Sequence, residues 1–288
     1  MPNTNRIRGF LDRITPERIE EIRNEIQEKE DTLIHEAEDG NRLDETHKEM
    51  VLNYIRDNLI PEHPTDIQNL MLQFISSAFS YSVLREELKR QFLELCHQDR
   101  YPILRDHMIL LSRIFNENRF EIENFWEPNS LLELATEIQN QRQYDLNSRS
   151  PFNRIISILL TAPQVISQLF ENNLNEKYEE IEALQNITDP IERATALWVF
   201  AENLHNHDDL KIKNVGTVLV CDFLKECGFK QYAKIDVQMI RAIRNIIGEE
   251  DVKFNNFELF VGTQWIAEKI DMTPFKLDKI LYIYGKYF

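Results

Sequence analysis

Thr15-Pro16-Glu17, Thr188-Asp189-Pro190 and Thr273-Pro274 each place a residue that can cap a helix directly before proline in this 288-residue chain. The side-chain oxygen accepts from the first free backbone amides of a helix. Proline supplies a helical φ and has no amide to satisfy. An acid in the first turn, as at Glu17, suits the positive end of the helix dipole. Each signal opens a run with apolar residues at helical spacing. Ile19, Ile22, Ile26 and Leu33 follow the first, and Ala196, Leu197, Trp198, Phe200 and Ala201 the second. FKLDKILYIYGKYF, with Tyr282, Tyr284 and Tyr287, follows the third. With only 7 glycines, the chain has few of the tight turns a strand-rich fold needs. The fold class is all-α, with about a dozen helices.

Further helices are expected from Thr46 to Leu59, from Ile67 to Leu95 with a bend near Ser76–Ser82, and from Pro102 through Phe115. Others run from Asn129-Ser130 to Arg142 and from Pro151 through Leu160, where Phe152, Ile155, Ile156 and Ile158 form the stripe. Asn175–Leu184 reads as an exposed acidic helix, and Phe257–Ile270 as a helix carrying Trp265. Asp39-Gly40, Pro61, Pro64 and Gly248 are breaks. Arg119–Pro128, with Phe120, Phe125 and Trp126, lacks clear helical spacing and reads as an ordered loop or a short extended piece. Gln139–Pro151 is polar and reads as a linker or a loop facing DNA. The domain organisation is an acidic helical region over 1–150 and a second domain over 151–288.

Hydrophobic residues make up 42% of the chain and charged residues 28%, the balance of a folded soluble protein. No run of about 18 apolar residues is present, so no membrane span is expected. The first residues, MPNTNRIRGFLDR, lack an apolar segment of the secretory kind. Cys96, Cys221 and Cys227 are too few for a disulfide framework or a four-thiolate metal site. The expected location is cytoplasmic. The seven histidines lack ligand spacing, so neither metal nor cofactor is expected.

The net charge of −16 argues against a nucleic-acid partner until its distribution is considered. Residues 1–200 carry 21 Lys and Arg against 36 Asp and Glu, whereas residues 201–288 carry 12 against 13. The acidity belongs to the first two thirds. A phosphate responds to charge within roughly 8 Å at physiological salt, so the local patch matters more than the sum.

The stretch Lys211–Ile247 concentrates the features that bear chemistry. Lys211, Lys213, Asn214, Val215, Gly216, Thr217 and Val218 form a basic turn before an apolar helix. Asn214 and Gly216 are the residue types that tolerate positive φ at least cost. Amides at the start of the next helix attract an anion, and the lysines add charge. Such a turn also serves simply to join two packed helices. Twenty residues after Gly216, Asp236 stands at a helix start, where a carboxylate either caps the helix or does chemistry. Gln238 and Arg241 follow it, on a helix that also carries Arg244.

Lys213-Asn214-Val215-Gly216-Thr217-Val218, Phe223-Leu224-Lys225-Glu226-Cys227-Gly228-Phe229 and Ala233-Lys234-Ile235-Asp236-Val237-Gln238-Met239-Ile240 together resemble the helix-hairpin-helix DNA glycosylases. The nearest branch is that of the 8-oxoguanine glycosylases, including the archaeal enzymes. LDKILYIYGKY resembles the family's closing helix, and the likeness covers about the last 75 residues. The resemblance implies two helical lobes with an active-site cleft between them and a hairpin that holds the backbone of double-stranded DNA. It also implies a modified base flipped into a pocket. It makes Asp236 the carboxylate that stabilises positive charge on the sugar as the N-glycosidic bond breaks. Gln238 replaces the branch's histidine and is expected to face DNA or base.

Two positions depart from the branch. Asn214 replaces the first hairpin glycine, a change that left-handed φ tolerates. Val218 falls where the branch has its lysine nucleophile, and Lys225 lies seven residues further along the helix, about 10 Å away. A Schiff base needs an amine, so the expected enzyme removes a base and stops there. Trp198, Trp265, Asp278 and Tyr282 are candidates for the base pocket. Core packing is the competing reading for the aromatics, and solvent exposure for Asp278. His205 and His207 fall in what reads as a polar loop between helices. The expected protein is a monomer with no membrane partner. A modified base in phage DNA, cut as antiviral defence, is a variant of this reading. A non-catalytic helix-hairpin-helix module and a helical interaction protein with no DNA role are its rivals.

Overall fold

A computed structural model describes residues 2–79, 158, 161–162, 165–166, 168–170, 173–207, 210–247 and 252–288. The helices expected over 102–115, 129–142 and 151–160, the loop 119–128 and the polar run 139–151 lie outside these residues, Ile158 excepted. So does the part of the Ile67–Leu95 helix beyond Phe79.

The described chain is mostly helical. In order it forms α1 (Asn5–Leu11), α2 (Pro16–Asp39), α3 (Glu45–Met50, continued as a π-helical turn over Val51–Arg56), α4 (Ile67–Phe79), α5 (Leu174–Gln185) and α6 (Pro190–His205). β1 (Asn206–His207) and β2 (Leu210–Lys211) follow, then α7 (Thr217–Glu226), α8 (Val237–Ile247), α9 (Asn256–Lys269) and α10 (Pro274–Tyr287).

The start signals act as capping chemistry requires. Thr15 accepts from the Arg18 amide and Thr273 from the Lys276 amide, each with proline in the first turn. Asp189 Oδ1 accepts from the amides of Ile191 and Glu192. Asn255 and Glu258 form a reciprocal capping box at the start of α9.

Two compact units emerge. The first gathers 1–63, 178–201 and 224–288, and the second 64–177 and 202–223. Within the first unit the N-terminal helices share a core with the C-terminal ones.

Within the first unit α2 lies against α10 and buries Ile22, Ile26 and Leu33. Polar contacts fix its register. Lys276 pairs with Glu30 at 2.7 Å, and Arg23 donates to the Lys269 carbonyl at 3.0 Å. At the far end of α10, Tyr287 Oη donates to Asp44 Oδ2 at 2.8 Å and Lys286 Nζ to His47 Nε2 at 3.2 Å. Burial opposes the charge of Asp44. Hydrogen bonds from the His47 ring and backbone and from Tyr287 outweigh it and hold the carboxyl well below its usual range. Burial, then the bond to Asp44, pushes the Tyr287 hydroxyl up to about 12.

Two local expectations differ from the structure. The helix expected over 46–59 tightens into α3, widens into a π turn and ends at Arg56. Asn58 then takes φ 52° and leaves Leu59 and Ile60 exposed. The acidic α5 is amphipathic rather than exposed all round, burying Tyr178, Ile181 and Gln185.

Helix α7 ends in a Schellman motif. The Phe229 amide bonds the Leu224 carbonyl, and the Gly228 amide bonds the Lys225 carbonyl. Gly228 sits at φ 91°, and a Cβ there would collide with the Pro61 carbonyl oxygen. Gly228→Ala is expected to cost about 1–3 kcal/mol in backbone strain alone, with the collision adding to it. Denaturant unfolding of the variant against wild type measures this; equal midpoints would refute it.

Candidate nucleic-acid and base-excision site

The basic turn belongs to the second unit. Ile212, Val215 and Leu219 are buried beneath it, while Lys211, Lys213, Asn214 and Gly216 are exposed. Thr217 and Val218 are half-buried. Asn214 adopts φ 61°, the left-handed conformation its residue type permits. Gly216 does not, and a Cβ placed on it would meet nothing within 4 Å. Its lack of a side chain therefore opens space above the helix start and relieves no strain. The Gly216 carbonyl accepts from the amides of Leu219 and Val220. The amides of Thr217 and Val218 donate to no described residue. One amide of the turn is already used, since Lys213 N donates to Thr161 Oγ1 at 3.0 Å.

The approach to the turn, expected as a polar loop between helices, contains a short ribbon. α6 stops at His205, and Asn206–His207 pair with Leu210–Lys211 as a two-rung antiparallel ribbon, Asn206 opposite Lys211 and His207 opposite Leu210. The Ile212 amide then bonds the His205 carbonyl. Pairing across the ribbon satisfies backbone groups that a longer helix would have satisfied internally. The His205 ring is buried, with Nε2 3.1 Å from Thr217 Oγ1 at the start of α7 and no partner for Nδ1. This link between the end of α6 and the start of α7 has no signature in the sequence.

Asp236 belongs to the first unit, half-buried at the N-terminus of α8. Its Oδ1 accepts from the Gln238 and Met239 amides, both at 2.9 Å, and its carbonyl accepts from Ile240. The capping reading of Asp236 is therefore realised in the structure. Oδ2 accepts no hydrogen bond from any described residue.

The remaining candidates divide. Arg241 is exposed on α8. Gln238 is used within the fold. Its side chain lies along Gly285 of α10, and Nε2 donates to the Gly285 carbonyl at 3.0 Å. Trp198 is buried against Phe257 and Phe260, as core packing predicts. Trp265 is half-buried with Lys269 over its ring, and Tyr282 is exposed and stacks on His47. Asp278 is not solvent-exposed. It is buried, with Oδ2 2.6 Å from Lys225 Nζ and Oδ1 accepting from the Lys234 amide at 3.1 Å. The sequence carried a signal for this, because Asp278 interrupts the stripe Pro274, Leu277, Leu281 that α10 presents inward.

The distribution of ion pairs separates this region from the rest. Lys211, Lys213, Lys230, Arg241, Arg244 and Lys253 have side chains with no ion pair and no ring contact among the described residues. Every other described Lys or Arg is engaged by a carboxylate, a ring or another group. Among the described residues, the Lys and Arg side chains without an ion pair or ring contact all fall in 211–253.

Burial pushes the thiols of Cys221 and Cys227 well above their ordinary range, which suits neither for nucleophilic work. Among the described residues no group of three or more His, Cys, Asp or Glu is arranged to hold a metal ion. No described helix is long and apolar enough to cross a membrane. No family model matches the chain, and neither a curated protein nor a solved structure does.

Burial, then the charge of Lys211, lowers the pKa of His205 below its ordinary value. The unfolded chain therefore takes up this proton first. Stability is expected to fall as pH drops from about 6.5 toward the folded value, and to level off below it. His205→Gln should flatten that slope in unfolding curves between pH 7.5 and 5; an unchanged slope would exclude the assignment.

Proposed function

We propose that this protein is a DNA glycosylase that flips a damaged or modified base out of duplex DNA and cleaves its N-glycosidic bond. The observation that carries this reading is the state of Asp236. One carboxylate oxygen is held by helix amides and the other accepts from no described residue, in a stretch that also carries Lys211, Lys213 and Arg241, which have no ion pair among the described residues. A carboxylate anchored in this way has a fixed direction and a face left for a developing cation. As the bond to the base lengthens, positive charge grows on the sugar, and a fixed anion nearby lowers that barrier without reorganising. Water completes the reaction at the sugar and the base leaves. Lys211, Lys213 and Arg241 neutralise backbone phosphates, and the amides of Thr217 and Val218 donate to one phosphate at the start of α7.

With Val218 where the related enzymes carry an amine, the product is an abasic site and an intact strand. The base is one carried by damaged DNA or by modified phage genomes. Plaque assays on cells expressing the chain, with phage of modified and unmodified DNA, separate defence from repair.

The cap geometry of Asp236 also favours a second reading, a DNA-binding module without chemistry. Asp236→Asn separates the two, because asparagine caps a helix as well as aspartate does but carries no charge. The expected result is an unchanged melting temperature and a loss of base release of at least 100-fold, read on duplexes carrying 8-oxoguanine, uracil, alkylated purines or phage-type bases and developed with mild alkali. Full base release by this variant would sink the mechanism. Strand cleavage without alkali, with a borohydride-trapped adduct, would overturn the monofunctional assignment.

Gly216→Ala tests the hairpin. The fold has room for the methyl group and φ is not left-handed there, so stability should hold. An approaching phosphate would meet the methyl group, and DNA affinity should drop about tenfold, roughly 1.4 kcal/mol. Unchanged affinity by fluorescence anisotropy would remove the turn from the interface.

A further inference from the structure

The segment from Cys227 to Ile235 joins α7 to the cap at Asp236, and protein groups hold it along its length. The Lys230 carbonyl accepts from the Phe275 amide at the start of α10. The Gln231 amide donates to Gln185 Oε1 at 2.9 Å, and its carbonyl accepts from Gln264 Nε2. Tyr232 Oη donates to the Leu197 carbonyl at 3.0 Å. Nearest to Asp236, the Lys234 amide donates to Asp278 Oδ1, and the Lys234 carbonyl accepts from the amide of Asp236 itself at 2.9 Å.

Asp278 differs from the other anchors in its cost. Its side chain is 4% exposed and that of its partner Lys225 is 5% exposed. Lys225 also meets Glu226 at 3.2 Å, and Glu226 meets Lys279 at 2.8 Å. Burying an ion pair sacrifices the hydration of both charges, and a well-packed apolar pair commonly serves stability equally well. What an apolar pair cannot supply is an acceptor for the Lys234 amide. A carboxylate with one oxygen on a buried ammonium and the other on a backbone amide has no freedom to turn. It transmits the position of α7 and α10 to the peptide one hydrogen bond away from Asp236.

We propose that Asp278, oriented by Lys225, is a positioning residue for Asp236. It clamps the Lys234 peptide and thereby sets where the Asp236 carboxylate points. This inference rests on the glycosylase reading for its catalytic consequence, and on the hydrogen bonds alone for the clamp.

Removing Asp278 by itself would take from a buried lysine its nearest carboxylate and endanger folding, so the test uses paired substitutions. Asp278→Asn with Lys225→Gln keeps an acceptor for the Lys234 amide and replaces the charges with an amide pair. Asp278→Leu with Lys225→Met keeps the volume and removes the acceptor. Three quantities are read: amide hydrogen exchange of the 230–236 peptide, affinity for a duplex holding a tetrahydrofuran abasic analogue, and the single-turnover rate on the most active duplex of the panel above. The apolar pair is expected to speed exchange at least tenfold and slow base release at least tenfold, with affinity within threefold. The amide pair should recover both to within about threefold. Unchanged exchange in the apolar pair would overturn the clamp. Faster exchange with an unchanged single-turnover rate would overturn the positioning role. Faster exchange in a chain whose wild type releases no base from any duplex would uphold the clamp and overturn the glycosylase reading instead.

Discussion

The left-handed turn at Gly228 is the constraint on which the first unit depends. The chain must leave α7 there, close the last helical carbonyls and begin the segment that ends at Asp236. The Pro61 carbonyl occupies the space a side chain would take, and His63 Nδ1 lies 2.6 Å from the Cys227 carbonyl. The His63 ring rests on Phe229, centroids 4.5 Å apart, and on Tyr178. One turn thus ties together three stretches distant in sequence: the close of the N-terminal helices, α5 and the end of α7. A glycine at the C′ position of a helix is ordinary. What makes this one demanding is that a second backbone passes over it.

Features of local chemistry were legible in the sequence. Thr15, Asp189 and Thr273 act on amides two or three residues away, so a short stretch of sequence contains the whole interaction. The same holds for Asp236 as a cap and for Asn214 in left-handed φ. The long-range partners were not legible. Gln238 is held by Gly285, Asp278 by Lys225 and by Lys234, and Tyr287 by Asp44, across separations that no window of sequence spans. Gly216 shows the limit from the other side. Its residue type suggested a backbone need, and the structure places it in an ordinary conformation with open space beside it. The π turn after α3 escaped for a related reason, because it breaks a periodicity that the apolar residues continue to suggest.

Charge in this molecule is informative through its pairing more than through its sum. A total of −16 would place the chain among proteins that repel polyanions. Yet most described cations are committed to internal partners, and the uncommitted ones fall between Lys211 and Lys253. A paired surface charge contributes little field beyond its neighbours, whereas an unpaired one is felt over a Debye length. A polyanion bound through these side chains should depend steeply on salt.

The sharing of one core by residues 1–63 and 224–288 has a consequence for biosynthesis. α2 presents its apolar stripe early, but the surface that covers it, α10, leaves the ribosome some 240 residues later. At roughly 5–20 residues per second, the N-terminal helices wait on the order of ten seconds or more before their partner arrives. During that interval Ile22, Ile26 and Leu33 have no α10 to cover them, and the dense charge on the other faces of α2 becomes the feature that keeps the nascent chain in solution. The acidity of the first part of the chain, which says little about the site, has a physical role there.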